Sequence, residues 1–237
     1  MQIPFFSLRG YSKNILLVCC GLICCTVHAE NDFAIALVKA AKERTEHFVI
    51  YDGSYRQIAY PGGDVSPNRG VCTDVIIRSY RTLGIDLQRE VHEDIKQNFK
   101  AYPSQRIWGL TRPDRNIDHR RVPNLQTFFS RKGQSLPITN NPADYKSGDI
   151  VTWMLPGNLP HIGIVVDERN RGSLRRKIVH NIGWGPKMDD MLFDYKITGH
   201  YRFQPKRFHP ERFHPERLPP DRDNPALSTS TTNQPVN

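Results

Sequence analysis

An α+β fold is expected for this chain, with helices first and an antiparallel sheet after them. Two observations lead there. The first half carries apolar residues at three- and four-residue spacing, the period of a helix with one buried face. The second half breaks into "GDIVTWML", "HIGIVVD", "RKIVHNIG" and "GHYRF". These are short β-branched or aromatic runs separated by turn residues. Helices followed by a meander of strands pack as a helical layer on one face of a sheet.

The elements follow in order. Asn31 caps a first helix carrying Ala34, Leu37, Val38 and Ala41. "VIYDGSYRQIAY" alternates around Asp52-Gly53, which predicts a hairpin-type turn. Pro61 to Arg69 is rich in Gly, Pro, Asn and Asp and reads as a loop. A helix then starts near Cys72, with Val75, Ile76, Ser79, Tyr80 and Leu83 inward and Gly84 as its stop. Val91, Ile95 and Phe99 mark another helix that ends before Pro103. Trp108 to Val122 shows no period and reads as a long surface loop, followed by a short helix over Asn124–Lys132. Asn170 and Gly172 turn the chain between the second and third strand runs.

The two ends differ from this core. Residues 1–29 read as an export signal: Arg9 and Lys13 precede the uncharged "ILLVCCGLICCTV", and Val27 and Ala29 occupy small-residue cleavage positions. The apolar block is short for a membrane span, so no stable span is expected after cleavage, a retained anchor being the competing reading. Bulky Val18 and Ile23 before Cys19 and Cys24 argue against a lipid attachment site. From residue 205 the composition shifts to Pro, Arg, His and small polar residues, with an "RFHPE" repeat. Such a stretch buries too little apolar surface to offset its ordering entropy, so 205–237 is expected to be a disordered tail. Residues 30–204 then form one domain. Removing Arg9 and Lys13 lowers the formal charge from +9 to +7. That charge is scattered, so nucleic acid is not the expected partner, and an anionic envelope polymer suits an exported basic chain better.

The chemistry centres on "GVCTDVI". Of five cysteines, four lie in the apolar leader, and Cys72 is the one elsewhere. An unpaired thiol in an oxidising compartment is either used or buried. At a helix start it meets the positive end of the helix dipole and unpaired backbone N–H groups, which stabilise a thiolate. His161 opens "HIGIVVD" and His180 lies in "IVHNIG" on the next strand, so antiparallel pairing around the 167–176 turn brings them to one end of a hairpin. His161 then faces the thiol and His180 reaches the back of its imidazole. Asn181 is an alternative orienting group, but strand alternation turns it to the opposite face.

With these residues in hand, the core resembles the NlpC-type, papain-like cysteine hydrolases of the bacterial cell wall, in an uncharacterised exported branch. The resemblance rests on "YPGGD…GVCTDVI", "YKSGDIV", "HIGIVVD" and "IVHNIG". It implies Cys72 as nucleophile, His161 as base and His180 as third triad member, with the Tyr60 hydroxyl near the oxyanion. Together with the export signal it implies peptidoglycan or a muropeptide as substrate, cut at an amide bond by an endopeptidase or an N-acetylmuramoyl-L-alanine amidase, and no cofactor. The common form is Asp-Cys-Ser-Gly, whereas this chain has Val-Cys-Thr-Asp. Asp74 therefore stands where a substrate chain would approach, and it raises the thiol's pKa unless an arginine pairs with it. Arg120 and Arg121 are further candidates, for holding a substrate carboxylate. Asn181 and Trp184, in and beside the "NIGWGP" loop, are candidates for the groove, as is Trp108. A silent wall-binding module of the same fold is the alternative from another class. A histidine-based metal hydrolase is not expected, since His92-Glu93-Asp94 does not continue to a second histidine at helical spacing.

Overall fold

The structure, a computed structural model, describes residues 32–205 of the 237-residue chain. The leader, the Asn31 cap and the tail beyond Pro205 lie outside the described residues. Within them the chain is α+β, with a helical N-terminal part and an antiparallel sheet after it. No helix among the described residues is long and apolar enough to cross a membrane.

Residues 32–44 form α1, which buries Phe33, Leu37, Val38, Ala40 and Ala41. Then comes a departure from the sequence pattern. The hairpin expected around Asp52-Gly53 is not formed. Instead β1 (Ile50–Tyr51) pairs in parallel with β2 (Arg69–Gly70). The loop between them is held from α2 (Cys72–Thr82): the Arg78 guanidinium donates to the carbonyls of Val65, Ser66, Pro67 and Arg69 and to the Asp64 carboxylate. One buried five-donor side chain thus replaces a local turn as the organiser of the loop.

α2 is buried on every side from Cys72 to Tyr80, well beyond the expected inward stripe. It lies between the sheet and the other helices, so it has no solvent face over those two turns. α3 (Leu87–Gln97) starts on Asp86, whose carboxylate accepts from the Arg89 N–H, and a short α4 (Ser104–Trp108) and α5 (Val122–Lys132) complete the layer. The stretch expected as a surface loop between Trp108 and Val122 contains a buried 3-10 turn, Asp118–Arg120, packed among α2, α3 and α5. Its lack of period reflects buried polar residues that satisfy one another: the Asp118 carboxylate accepts from the Asp114 N–H at 2.6 Å, and Asn124 donates to the Asp118 carbonyl at 3.1 Å.

The sheet has the order β3 (Gln134–Ser135), β8 (Lys196–Arg202), β4 (Ile150–Leu155), β5 (Leu159–Arg169), β6 (Arg176–Asn181), β7 (Pro186–Asp189). All neighbours are antiparallel. Alternation divides it into two faces. Ile150, Ile162, Ile164, Val166 and Val179 pack with Cys72, Val75, Ile76, Leu125 and Phe129 of the helices. Val151, Trp153, Val165 and Ile178 pack on the far face beneath Tyr145, Met191 and Leu192. Each fully buried aliphatic side chain stabilises the fold by about 1.5–3 kcal/mol. Burial on this scale holds the fold without a disulfide, and Cys72 is a free thiol.

"SGD" and "GHYR" meet at the start of β4. Buried Asp149 accepts from the Lys146 N–H at 2.8 Å, from His200 Nε2 at 2.9 Å and from Arg202 Nε at 2.8 Å. Gly148, at φ 86°, makes the turn that presents it. This network pins β8 to β4 and accounts structurally for those two sequence segments.

Candidate active site

Cys72 is the first residue of α2, after Val71 with an extended backbone. The helix start is fixed by Asp74, whose carboxylate accepts the Val71 N–H at 2.6 Å. The same carboxylate accepts two hydrogen bonds from the Arg120 guanidinium, both 2.9 Å, and both side chains are buried. Asp74 and Arg120 therefore act on each other. The carboxylate that Arg120 holds is Asp74's, which corrects the expectation that it holds one on the substrate.

His161 and His180 occupy β5 and β6. His180 lies opposite Gly163 in register, so it is a diagonal neighbour of His161 on the same face. Gly163 makes that approach feasible: a Cβ there would stand 2.5 Å from Ile178 Cγ2 and 3.2 Å from His180 Cβ. His161 Nε2 and His180 Nδ1 are 3.0 Å apart, with the rings edge-to-face. The chain continues. His180 Nε2 lies 3.2 Å from Asp189 Oδ2 on β7, and Lys187 Nζ lies 2.7 Å from the same oxygen. Sequence reasoning missed Asp189, because "PKMD" has neither alternation nor β-branched residues to announce a strand.

The thiol meets this relay at one point of β5. Three donors favour the Cys72 anion: the Ile162 N–H, next to His161 in sequence, the Thr73 N–H and the Tyr51 hydroxyl. No hydrogen bond joins Cys72 to His161 among the described residues. The register explains it. His161 lies opposite Trp153, with their rings 6.0 Å apart, on the far face of the sheet, whereas Cys72 packs with Ile162 on the helical face. The expected thiolate is also absent at rest. Burial pushes the Cys72 thiol up to about 12, with the Asp74 charge adding to it, against the three donors just named. Burial likewise brings His161 down to about 3, and His180 is lowered by its own burial against the pull of Asp189. The resting pair is a neutral thiol and a neutral imidazole.

Comparison with known sequences places this arrangement in a family. Residues 38–203 match the family described as a domain of unknown function, DUF1287. The chain belongs to the DUF1287 family. It is also 48% identical over 177 residues to the uncharacterized protein YijF of Escherichia coli (strain K12), covering 75% of this chain and 85% of that protein. Residues 38–203 take in every residue of the candidate site described above.

The remaining sequence candidates have varied surroundings. Tyr60 corrects an expectation: its hydroxyl donates to Glu93 at 2.8 Å, its ring edge meets His92, and Tyr51 is the hydroxyl beside the sulfur. The parallel β1–β2 pair, invisible in local sequence, brings Tyr51 there. Arg121 stacks its guanidinium on Trp108, 4.0 Å from the ring centroid, and pairs with Asp118 at 3.5 Å, so these two aromatic and basic candidates hold each other. Asn181 is buried. Its Oδ1 accepts from the Gly183 N–H at 3.1 Å and its Nδ2 has no partner. Trp184 is 94% exposed in the loop that follows. That loop touches the segment leading into β1, where a Cβ on Gly185 would stand 3.3 Å from the Val49 carbonyl. Beside β1 and β2 lies a cleft of about 320 Å³ lined by Asp52, Ser54, Arg56, Gln57, Asp64 and Arg69. No group of three or more His, Cys, Asp or Glu residues suited to a metal ion occurs among the described residues.

Proposed function

We propose that this chain is an exported thiol hydrolase on the papain-like plan, cleaving an amide bond in peptidoglycan with Cys72 as nucleophile and His161 as base. The observation that carries the reading is the juxtaposition on β5. Cys72 at the start of α2 packs in one core cluster with Ile162, one residue from His161, whose Nε2 is bonded to a second histidine. A nucleophile, a base and an orienting group on three successive packed elements is the general requirement of covalent acyl transfer. Peptidoglycan as substrate rests on the likeness to NlpC-type enzymes and on the leader, and the charged cleft of Arg56, Arg69 and Asp52 suits a peptide bearing both signs of charge.

In this mechanism the proton leaves the neutral Cys72 thiol for His161 as sulfur attacks the amide carbonyl, forming a C–S bond. The register sets the thiol and the imidazole on opposite faces of β5, so this transfer requires the start of α2 or of β5 to rearrange before attack. The Cys72 N–H, at the open end of α2, and the Tyr51 hydroxyl stabilise the oxyanion. Collapse expels the amine, protonated by His161, and leaves a thioester. Water deprotonated by His161 then hydrolyses the thioester and restores the thiol. The buried Asp74–Arg120 pair holds the α2 start rigid.

A second reading has its own supporting observation: a buried, neutral thiol with no imidazole bonded to it suits a wall-binding module without turnover. Incubation of purified peptidoglycan with the protein separates the two. The hydrolase reading expects new free amino groups and soluble muropeptide fragments, whose masses name the bond cut. Sedimentation with the wall and no new amino groups would favour the binding module.

A further inference from the structure

The carboxylate at the end of the histidine chain sets the chemistry at its beginning. Asp189 Oδ2 faces His180 Nε2 at 3.2 Å and Lys187 Nζ at 2.7 Å. An ionised carboxylate only accepts hydrogen bonds, so His180 donates from Nε2. A neutral imidazole carries one N–H, so His180 Nδ1 is a bare acceptor. Its partner at 3.0 Å, His161 Nε2, must then be the donor. The one proton of neutral His161 is thereby committed to Nε2, and its Nδ1 is left with a lone pair. We infer that Asp189 is a positioning residue that fixes the tautomers of both histidines, so that His161 presents a bare Nδ1 as the proton acceptor.

Its environment fits that role. Burial pulls the Asp189 carboxyl up, but Lys187 and then His180 outweigh it and hold the group ionised, below its ordinary pKa. Burial keeps both imidazoles neutral, the condition under which tautomer choice matters. No nearer carboxylate serves. Asp167, at the other end of β5, pairs with Lys42, and Asp190 pairs with Arg175 and Asn170.

The assignment of Nδ1 as base rests on the hydrolase reading, while the tautomers themselves do not, and the test separates the two. Long-range proton–nitrogen NMR on histidine-labelled protein at pH 7.5 distinguishes protonated from bare ring nitrogens. In the wild-type protein both His161 and His180 are expected to be protonated at Nε2 and bare at Nδ1. Asp189→Asn can turn its amide to donate to His180 Nε2 and so release the constraint, and a loss of the pure Nε2–H pattern at both rings is expected. Finding Nδ1–H on either wild-type ring, or an unchanged pattern in Asp189→Asn, overturns the inference. With purified muropeptides, Asp189→Asn should lower kcat by about 10²–10⁴-fold with KM little changed, approaching the loss in a serine triad whose imidazole is left in the wrong tautomer. An unchanged kcat overturns the positioning role. A wild-type protein that shows the expected tautomers and cleaves no muropeptide overturns the hydrolase reading alone.

Discussion

At the scale of single residues, the sulfur of Cys72 is governed by a competition. The helix start, two N–H groups and a phenol favour its anion, while burial and Asp74 oppose it, and burial prevails. With the thiol pushed up to about 12, the reactive thiolate fraction below that pKa rises tenfold for each pH unit. Alkylation by iodoacetamide is therefore expected to accelerate about tenfold from pH 7 to pH 8, since both the buried thiol and the ordinary thiol of transiently opened states are still mostly protonated there. A plateau near neutrality would mean a preformed ion pair with His161. The same competition limits what sequence can say: a helix-start cysteine announces its dipole, but its burial depends on the sheet that closes over it.

At the scale of elements, the start of α2 and the buried 3-10 turn are locked by one ion pair across 46 residues of chain. Both partners are desolvated, so removing one leaves a buried charge, with a cost of about 3–5 kcal/mol. Arg120→Met should lower the unfolding free energy by that amount, read as a lower urea midpoint at an unchanged denaturant slope, and a loss under 1 kcal/mol would show that water reaches Asp74. The elements differ in how legible they are. The runs that became β4, β5, β6 and β8 were readable because β-branched residues mark buried strands, and alternation alone separates His180 from Asn181. By contrast β1, β2 and β7 are two to four residues long. Their pairing is tertiary, so Tyr51 and Asp189 carried no local signal. The Asp74–Arg120 pair was likewise hidden, since nothing in either segment names its partner. What the register added was parity: it set the histidines on one face of β5 and the thiol on the other.

At the scale of the whole molecule, buried titrating groups make stability depend on pH. Burial lowers His161 and His119 to about 3 from an ordinary 6.5. As pH falls below about 6.5 the unfolded chain takes up protons that the folded one refuses, so stability drops by about 1.4 kcal/mol per pH unit for each histidine until pH 3 is approached. Asp118, which burial raises to about 6 from 3.8, acts in the opposite sense between those two values, because there the folded form holds the extra proton. Two histidines outweigh one carboxyl, and the melting temperature is expected to fall steadily from pH 6.5 to 4.5. A flat or rising profile over that range would contradict the burial of these rings.

A helix-start thiol and a histidine chain on neighbouring strands, gathered into one domain by α2 and β5, have turnover as their direct test. Purified muropeptides incubated with wild-type and Cys72→Ala proteins, both first checked for equal melting temperatures, and resolved by mass spectrometry provide it. Wild type should release fragments differing from the substrate by one water across a single amide bond, and Cys72→Ala should release none above the no-protein control. Equal cleavage by the two proteins, or none by the wild type, would contradict a hydrolase acting through Cys72.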